Sequence, residues 1–223
     1  MNLVYYSAKG ETYYTMAILS ATSLRRVGYA DDIIIMTDCD HRHGPWTTLK
    51  IQDLNGWFGR AQIHKYIDIS KWDKLLYLDC DTIARKNVSP LFDFDGPFAA
   101  TVEKETIKNA NFQNTLYMTK EELIKFGDLN SINSGTFCVK SSAAKEYFDK
   151  WAEIYFSRTD KRDDQAALSV MLKRGMPHVY FNKRYIYGFG VMPGKHNKNT
   201  ILTHFICFTD KYETMIDYIN THI

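Results

Sequence analysis

The sequence predicts an α/β fold with a mostly parallel sheet, and three features point to it. Short apolar runs alternate with segments of helical periodicity along the whole chain, the pattern of successive βαβ units. Runs such as Ile33-Ile34-Ile35-Met36 carry no polar alternation, which suits strands covered on both faces. No internal repeat or low-complexity linker divides the 223 residues, a length that one domain can hold around a sizeable core.

Taken in order, Leu3 to Tyr6 is a first strand that ends at Ser7-Ala8-Lys9-Gly10, where the glycine permits a sharp turn. Thr12 to Arg26 follows as a helix that places Tyr13, Met16, Ala17, Ser20 and Leu24 near one face, with Arg25 and Arg26 in its last turn. After the strand at Ile33 to Met36, Gly59 to Ile69 is expected as a helix carrying Ile63, Tyr66 and Ile67 inward. It feeds the strand Lys74 to Leu78. A turn over Asn87 to Phe92 precedes the strand Gly96 to Val102, and the polar tract from Glu103 to Asn130 reads as a substrate-facing insertion with a weak helix at Lys120 to Phe126. Ser131 to Gly135 leads into the strand Thr136 to Val139. The strongest helix, capped by Ser141 or Ser142, turns Tyr147, Phe148, Trp151, Ile154 and Tyr155 to one side. A further helix starts at Asp163 or Asp164 and runs to Lys173. Strands at His178 to Phe181 and Ile201 to Phe205 flank a loop from Gly188 to Gly194, and Tyr212 to Ile219 closes the chain as a helix.

A net charge of +2, from 28 basic and 26 acidic residues scattered along the chain, gives no electrostatic footprint for nucleic acid. Cys39, Cys80, Cys138 and Cys207 form no C-x-x-C pair, so neither a zinc knuckle nor a disulfide framework is expected. No transmembrane segment and no leader pattern are read from the sequence, so a cytoplasmic location is expected.

The chemistry concentrates at Lys74-Leu75-Leu76-Tyr77-Leu78-Asp79-Cys80-Asp81-Thr82. Ligands of open α/β sheets sit beyond the carboxyl ends of strands, and two carboxylates one residue apart can share a hard divalent cation. A second pair, Asp38 and Asp40, also follows an apolar strand, with His41 and His43 behind it. Spacing alone does not rank the two pairs.

Tyr77-Leu78-Asp79-Cys80-Asp81-Thr82, then Asn87-Val88 and Leu91-Phe92, resembles the glycogenin-like glycosyltransferases of family 8, whose run is Leu-Asp-Ala-Asp-Thr followed by Asn-Ile and Leu-Phe. Asn133-Ser134-Gly135, Asp164-Gln165 and His204-Phe205 match further blocks of that family in order. The resemblance implies a GT-A fold over residues 1–223, with the nucleotide handled by about residues 1–100 and the sugar and acceptor by about 101–223. The implied activity is metal-dependent transfer of a hexose from a UDP-sugar, UDP-glucose or UDP-galactose foremost, to a hydroxyl of a glycan, protein or small molecule, with retention. The implied ligands of manganese or magnesium are Asp79, Asp81 and His204. Ser7, Tyr13, Arg60, Asp79 and Cys80 are assigned to the nucleotide side, Tyr13 stacking on the base. Asn133, Ser134 and Gly135 line the sugar pocket, and Asp164 and Gln165 face the anomeric carbon. Where the family continues after His-Phe with Gly and Lys-Pro-Trp, this chain has Cys207-Phe208-Thr209-Asp210-Lys211, so Lys211 stands one position late as the diphosphate contact and Lys195 competes with it. Arg60-Ala61-Gln62 replaces the family's Thr-Lys.

Two other functions fit parts of the sequence. The apolar strand ending in Asp79-Cys80-Asp81-Thr82 also fits a haloacid-dehalogenase-like phosphatase, with Asp79 as nucleophile and Asp81 as acid and base. The altered tail also fits a nucleotide-sugar or glycan-binding module without turnover.

Overall fold

The computed structural model describes residues 1–40, 44–56, 58–110, 117–157, 163–188, 196–206 and 210–222. His41, His43, Lys195 and Cys207 lie outside these described residues. A seven-stranded sheet forms the centre, in the order β3-β2-β1-β4-β7-β6-β8. Its strands are β1 (Asn2–Ala8), β2 (Asp32–Thr37), β3 (Thr47–Lys50), β4 (Lys74–Leu78), β6 (Phe98–Thr106), β7 (Asn130–Lys140) and β8 (Val179–Tyr180). All neighbours pair in parallel except those of β7, which runs against β4 and β6. A second, three-stranded sheet holds β5 (Thr82–Ala84), β10 (Leu202–His204) and β9 (Ile186–Gly188), with β10 in the middle.

Alternation along the central strands divides the core in two. Leu3, Tyr5, Leu75, Tyr77 and Phe137 face α4 (Ser141–Phe156) and α5 (Asp164–Lys173), where Phe148 and Trp151 pack against them. Val4, Tyr6, Leu76 and Leu78 face the opposite way, toward α1 (Glu11–Arg26) and the terminal helix α6 (Lys211–His222), which contribute Met16, Ala17, Leu24, Met215 and Ile219. Two shorter helices, α2 (Ile107–Ala110) and α3 (Lys120–Phe126), lie between β6 and β7. No helix among the described residues is long and apolar enough to cross a membrane.

Several local expectations need correction. The segment from Gly59 to Ile69 forms no α-helix but short 3₁₀ turns at Gly59–Ala61 and Ile63–Lys65, with a third at Ile69–Lys71. The Tyr5 hydroxyl donates to the Arg60 carbonyl at 2.7 Å, occupying the acceptor that an α-helix would give to residue 64. Ile63 is buried as expected, whereas Tyr66 is exposed. In α1 the inward residue is Tyr14, in phase with Ala17, Ala21 and Leu24, while Tyr13 is 52% exposed. Asn133, Ser134 and Gly135 lie inside β7 rather than before it. Lys140, without a side-chain cap, takes the position expected for Ser141 or Ser142 at the start of α4. The short strands β3, β5 and β9 carry no apolar run long enough to stand out in the sequence.

At α5 the cap is resolved. The Asp163 side chain accepts from the Ala166 amide at 2.8 Å, which leaves Asp164 free to turn inward from the first helical turn. Replacing Asp163 with Ala is expected to lower stability by about 1 kcal/mol in urea unfolding, the usual loss for an N-cap.

Candidate active site

The site forms where β4 ends. After Leu78 the chain makes a tight turn: the Asp79 amide donates to Gly135 O at 2.8 Å, and the Thr82 hydroxyl returns to Asp79 O at 2.8 Å. The turn leads directly into β5, so Asp79 and Asp81 stand between two strands of different sheets. β5 pairs antiparallel with β10, placing His204 opposite Thr82, and the Phe205 amide donates to Asp81 O at 2.8 Å. Sheet register thus carries His204 to the acids across the sequence. Its Nε2 lies 3.0 Å from Asp81 Oδ1 and 3.5 Å from Asp79 Oδ2.

One donor atom from each of Asp79, Asp81 and His204 falls within 4.8 Å of the others. Two carboxylate oxygens and an imidazole nitrogen suit a divalent cation. The backbone leaves room for that cluster at one point only because residue 135 is glycine: a Cβ there would lie 2.4 Å from Asp79 Oδ2 and 2.5 Å from His204 Cε1. The Asp38 and Asp40 pair is used otherwise, since Asp38 accepts from the Gly10 amide at 2.7 Å and Asp40 pairs with Lys50.

Around the cluster the charges alternate. Arg60, almost fully buried, places Nη2 3.2 Å from Asp79 Oδ1 and Nε 3.2 Å from Asp164 Oδ2, and its Nη1 donates to the Ser134 hydroxyl at 2.9 Å. The guanidinium lies 5.0 Å from the ring centre of Tyr77, whose hydroxyl donates to Asp79 Oδ1 at 2.8 Å. Lys211, the first residue of α6, sets Nζ 2.5 Å from Asp81 Oδ2. Burial works against ionisation of Asp79, but the Arg60 charge and the His204 and Tyr77 hydrogen bonds prevail and hold its carboxyl well below the usual range. Burial likewise opposes a charge on His204, yet the neighbouring carboxylates lift it to about 9, so without a metal the imidazole is protonated at neutral pH. A bound cation would take the place of that proton.

A cavity of about 380 Å³ opens from this cluster. It is lined by Ser7, Lys9, Tyr13, Gly56, Arg60, Tyr77, Asp79, Cys80, Asp81 and Lys211. On the far side of Arg60, the Asn133 and Gln165 carboxamides meet: Gln165 Oε1 accepts from Asn133 Nδ2 and from the Ser134 amide, both at 3.3 Å. A larger open cleft of about 600 Å³ lies near Lys74 and Lys140, at the other end of β4, away from these acids.

A profile of nucleotide-diphospho-sugar transferases matches residues 74–215, which include β4, both acids and His204. The chain belongs to this family. No curated protein matches it in sequence. Among solved structures, the transferase is similar to the galactosyltransferase LgtC in complex with donor and acceptor sugar analogues, at 17% identity and a TM-score of 0.66, covering 100% of this chain and 96% of that one. It is also similar to the bifunctional glycosyltransferase WbbM (13% identity, TM-score 0.66, 98% of this chain and 49% of that chain). A third likeness is to the glycosyltransferase GlyE of Streptococcus pneumoniae TIGR4 (15% identity, TM-score 0.62, 98% and 60%). These likenesses establish a GT-A fold, and family and fold together make the chain a glycosyltransferase.

Of the residues singled out in the sequence, Ser7, Tyr13, Arg60, Asp79, Cys80, Asp81 and Lys211 line this cavity, and His204 meets its acids. Asn133, Ser134, Gly135, Asp164 and Gln165 adjoin it through Arg60, Asp79 and one another, while Lys195 lies outside the described residues. Sequence reading missed Lys9, Tyr77 and Glu103. Tyr77 looked like an ordinary strand residue, and its last-but-one place before Asp79 was the available signal, since a side chain two residues back shares the face of Asp79. Glu103 was placed in a polar insertion, whereas it is a buried residue of β6.

Two outcomes follow from this geometry. Gly135→Ala is expected to weaken manganese binding about 10–100-fold in calorimetry while circular dichroism remains that of the parent. Burial pushes the Asp164 carboxyl up to about 6, against the opposing charge of Arg60. The folded chain therefore holds this proton more tightly than the unfolded one. Its stabilising contribution is complete below the ordinary value of 3.8 and is lost as pH rises through about 6. Asp164→Asn removes that loss, so urea melts should show the variant gaining on the parent as pH rises through this window.

Proposed function

We propose that the protein transfers a hexose from a UDP-sugar to a hydroxyl acceptor with the help of a divalent cation, manganese or magnesium. The observation that carries this reading is the convergence of Asp79, Asp81 and His204 on one point at the mouth of a cavity lined by Arg60 and Lys211. With a cation on the acids, Lys9, Arg60 and Lys211 in the lining would leave the cleft positive enough to receive a nucleotide diphosphate. Held by those three residues, the cation would supply Lewis-acid stabilisation for the charge that develops on departing UDP.

The chain's own residues divide the remaining work. Tyr13, exposed on α1 at the cavity wall, offers its ring to the base, with Ser7 and Cys80 beside it. This assigns the nucleotide mainly to residues 1–100, with Lys211 reaching in from α6 as the diphosphate cation. Sugar and acceptor fall to residues 101–223, where Asn133, Ser134 and Gly135 form the pocket wall. Asp164 and Gln165 stand next to it. Asp164 Oδ2 lies 3.2 Å from Arg60 Nε as an ion pair without a hydrogen bond, and Gln165 Oε1 accepts two hydrogen bonds. An oxygen with filled lone pairs is a poor nucleophile, and the adjacent Arg60 charge draws electron density from the Asp164 carboxylate. This supports retention by attack of the acceptor hydroxyl on the face the UDP leaves, over a double displacement.

The phosphatase alternative would need Asp79 free to attack, whereas Asp79 is bound by Arg60 and Tyr77. The donor sugar is assigned to glucose or galactose, and the acceptor to a glycan, protein or small-molecule hydroxyl.

Asp81→Asn is expected to abolish manganese-dependent binding of UDP-glucose or UDP-galactose in calorimetry, with Asp40→Asn unchanged from the parent. Release of UDP from a panel of UDP-sugars and acceptors separates turnover from binding alone. Binding that survives in Asp81→Asn and fails in Asp40→Asn would move the site to the earlier pair.

A further inference from the structure

Glu103 is a buried acid with no task in the reading above. It sits on β6 at 8% exposure, where the pairing with β7 breaks between Val102 and Thr106. Breaks of this kind re-aim side chains. Asn130 answers the carbonyls released there, donating to Glu103 O at 3.0 Å and Lys104 O at 3.1 Å. The Glu103 side chain turns to the two carboxamides of the sugar pocket. Asn133 Nδ2 donates to its Oε1 at 3.0 Å and to Gln165 Oε1 at 3.3 Å, so Asn133 links the acid to Gln165.

We propose that Glu103 is a positioning residue that locks the carboxamides of Asn133 and Gln165 in the one orientation that receives the donor sugar. The inference rests on the glycosyltransferase reading. A carboxamide can flip by half a turn and exchange its donor and acceptor ends, but an ionised carboxylate only accepts. The Asn133 carboxamide therefore turns its NH₂ toward Glu103, and Gln165 is held through that same NH₂, which also reaches Gln165 Oε1. That places Asn133 Oδ1 against the Gly135 amide at 2.9 Å and Gln165 Oε1 against the Ser134 amide at 3.3 Å. The Asn133 NH₂ and both carboxamide oxygens then have a single consistent assignment.

A purely structural filler would not need a charge. Burial drives the Glu103 carboxyl up and its hydrogen bonding works against that rise, so the protein tolerates a disfavoured acid here. A glutamine of the same size would avoid the burden, but it could turn its own NH₂ against that of Asn133 and so leave the orientation unfixed.

The test compares the parent with Glu103→Gln and Glu103→Asp. With manganese present, calorimetry measures UDP, UDP-glucose and UDP-galactose. Glu103→Gln should keep UDP affinity and lose about tenfold for the UDP-sugar, the size of one unsatisfied buried polar group. Glu103→Asp, which still only accepts, should recover part of the loss. An equal loss for UDP and UDP-sugar, or no loss at all, overturns the proposal. A ligand-free readout is the side-chain NH₂ resonances of Asn133 and Gln165 in an amide correlation spectrum. They should shift and exchange faster in Glu103→Gln, and unchanged resonances also overturn it. Should the parent bind no UDP, the glycosyltransferase reading fails, and the resonances still decide the role of Glu103.

Discussion

Three carboxylates in one largely buried cleft set the terms for the rest of the structure. Asp79, Asp81 and Asp164 repel one another in a medium where charges interact far more strongly than in water. The fold answers with cations drawn from distant places: Arg60 between Asp79 and Asp164, His204 between the two metal-site acids, and Lys211 on the outer oxygen of Asp81. Each cation arrives on a different element. The departure of residues 59–65 from α-helical geometry, the β5–β10 pairing and the start of α6 all converge on this cleft. Removing one partner from such a set leaves an uncompensated buried charge, which is more harmful than removing the pair together.

Backbone irregularity does as much as charge. β7 pairs Phe137 with Ala100 and then Asn133 with Thr101, so Ser134 to Thr136 bulge out of the ladder on that side. Through the bulge, the Gly135 carbonyl can hold the Asp79 amide while the Asn133 and Ser134 groups face the cleft. A regular strand would send alternate residues to opposite faces and split this trio. Glycine at 135 then keeps the space between Asp79 and His204 open.

The fold class, the main strands and the helices at 11–26, 141–156 and 164–173 were legible because apolar pattern and burial coincide in them. The site was legible as separate blocks, and the resemblance, not spacing, put His204 with Asp79 and Asp81. What the sequence hid is tertiary in origin. Nothing in the residues around Gly59 reveals that Tyr5 will take the Arg60 carbonyl and turn a helix into short turns. Tyr13 and Tyr14 are chemically identical neighbours, and only the packing of α1 on the sheet decides which one is buried. Glu103 read as part of a polar tract because its partner Asn133, and Gln165 linked through it, are remote in sequence.

The charge balance bears on how donor and cation enter together. Without them, three carboxylates face an arginine, a lysine and a protonated histidine, and the cleft is close to neutral. A dication held by Asp79, Asp81 and His204 in place of the His204 proton would add one net positive charge, with Asp81 Oδ1 on the His204 side and Oδ2 still beside Lys211. A diphosphate alone would meet Asp79 and Asp81 uncovered. Together each would offset the other, the cation covering the acids and the phosphates balancing the added charge. In the proposed function, the metal and the UDP-sugar would therefore raise each other's affinity by the same factor, as linkage requires.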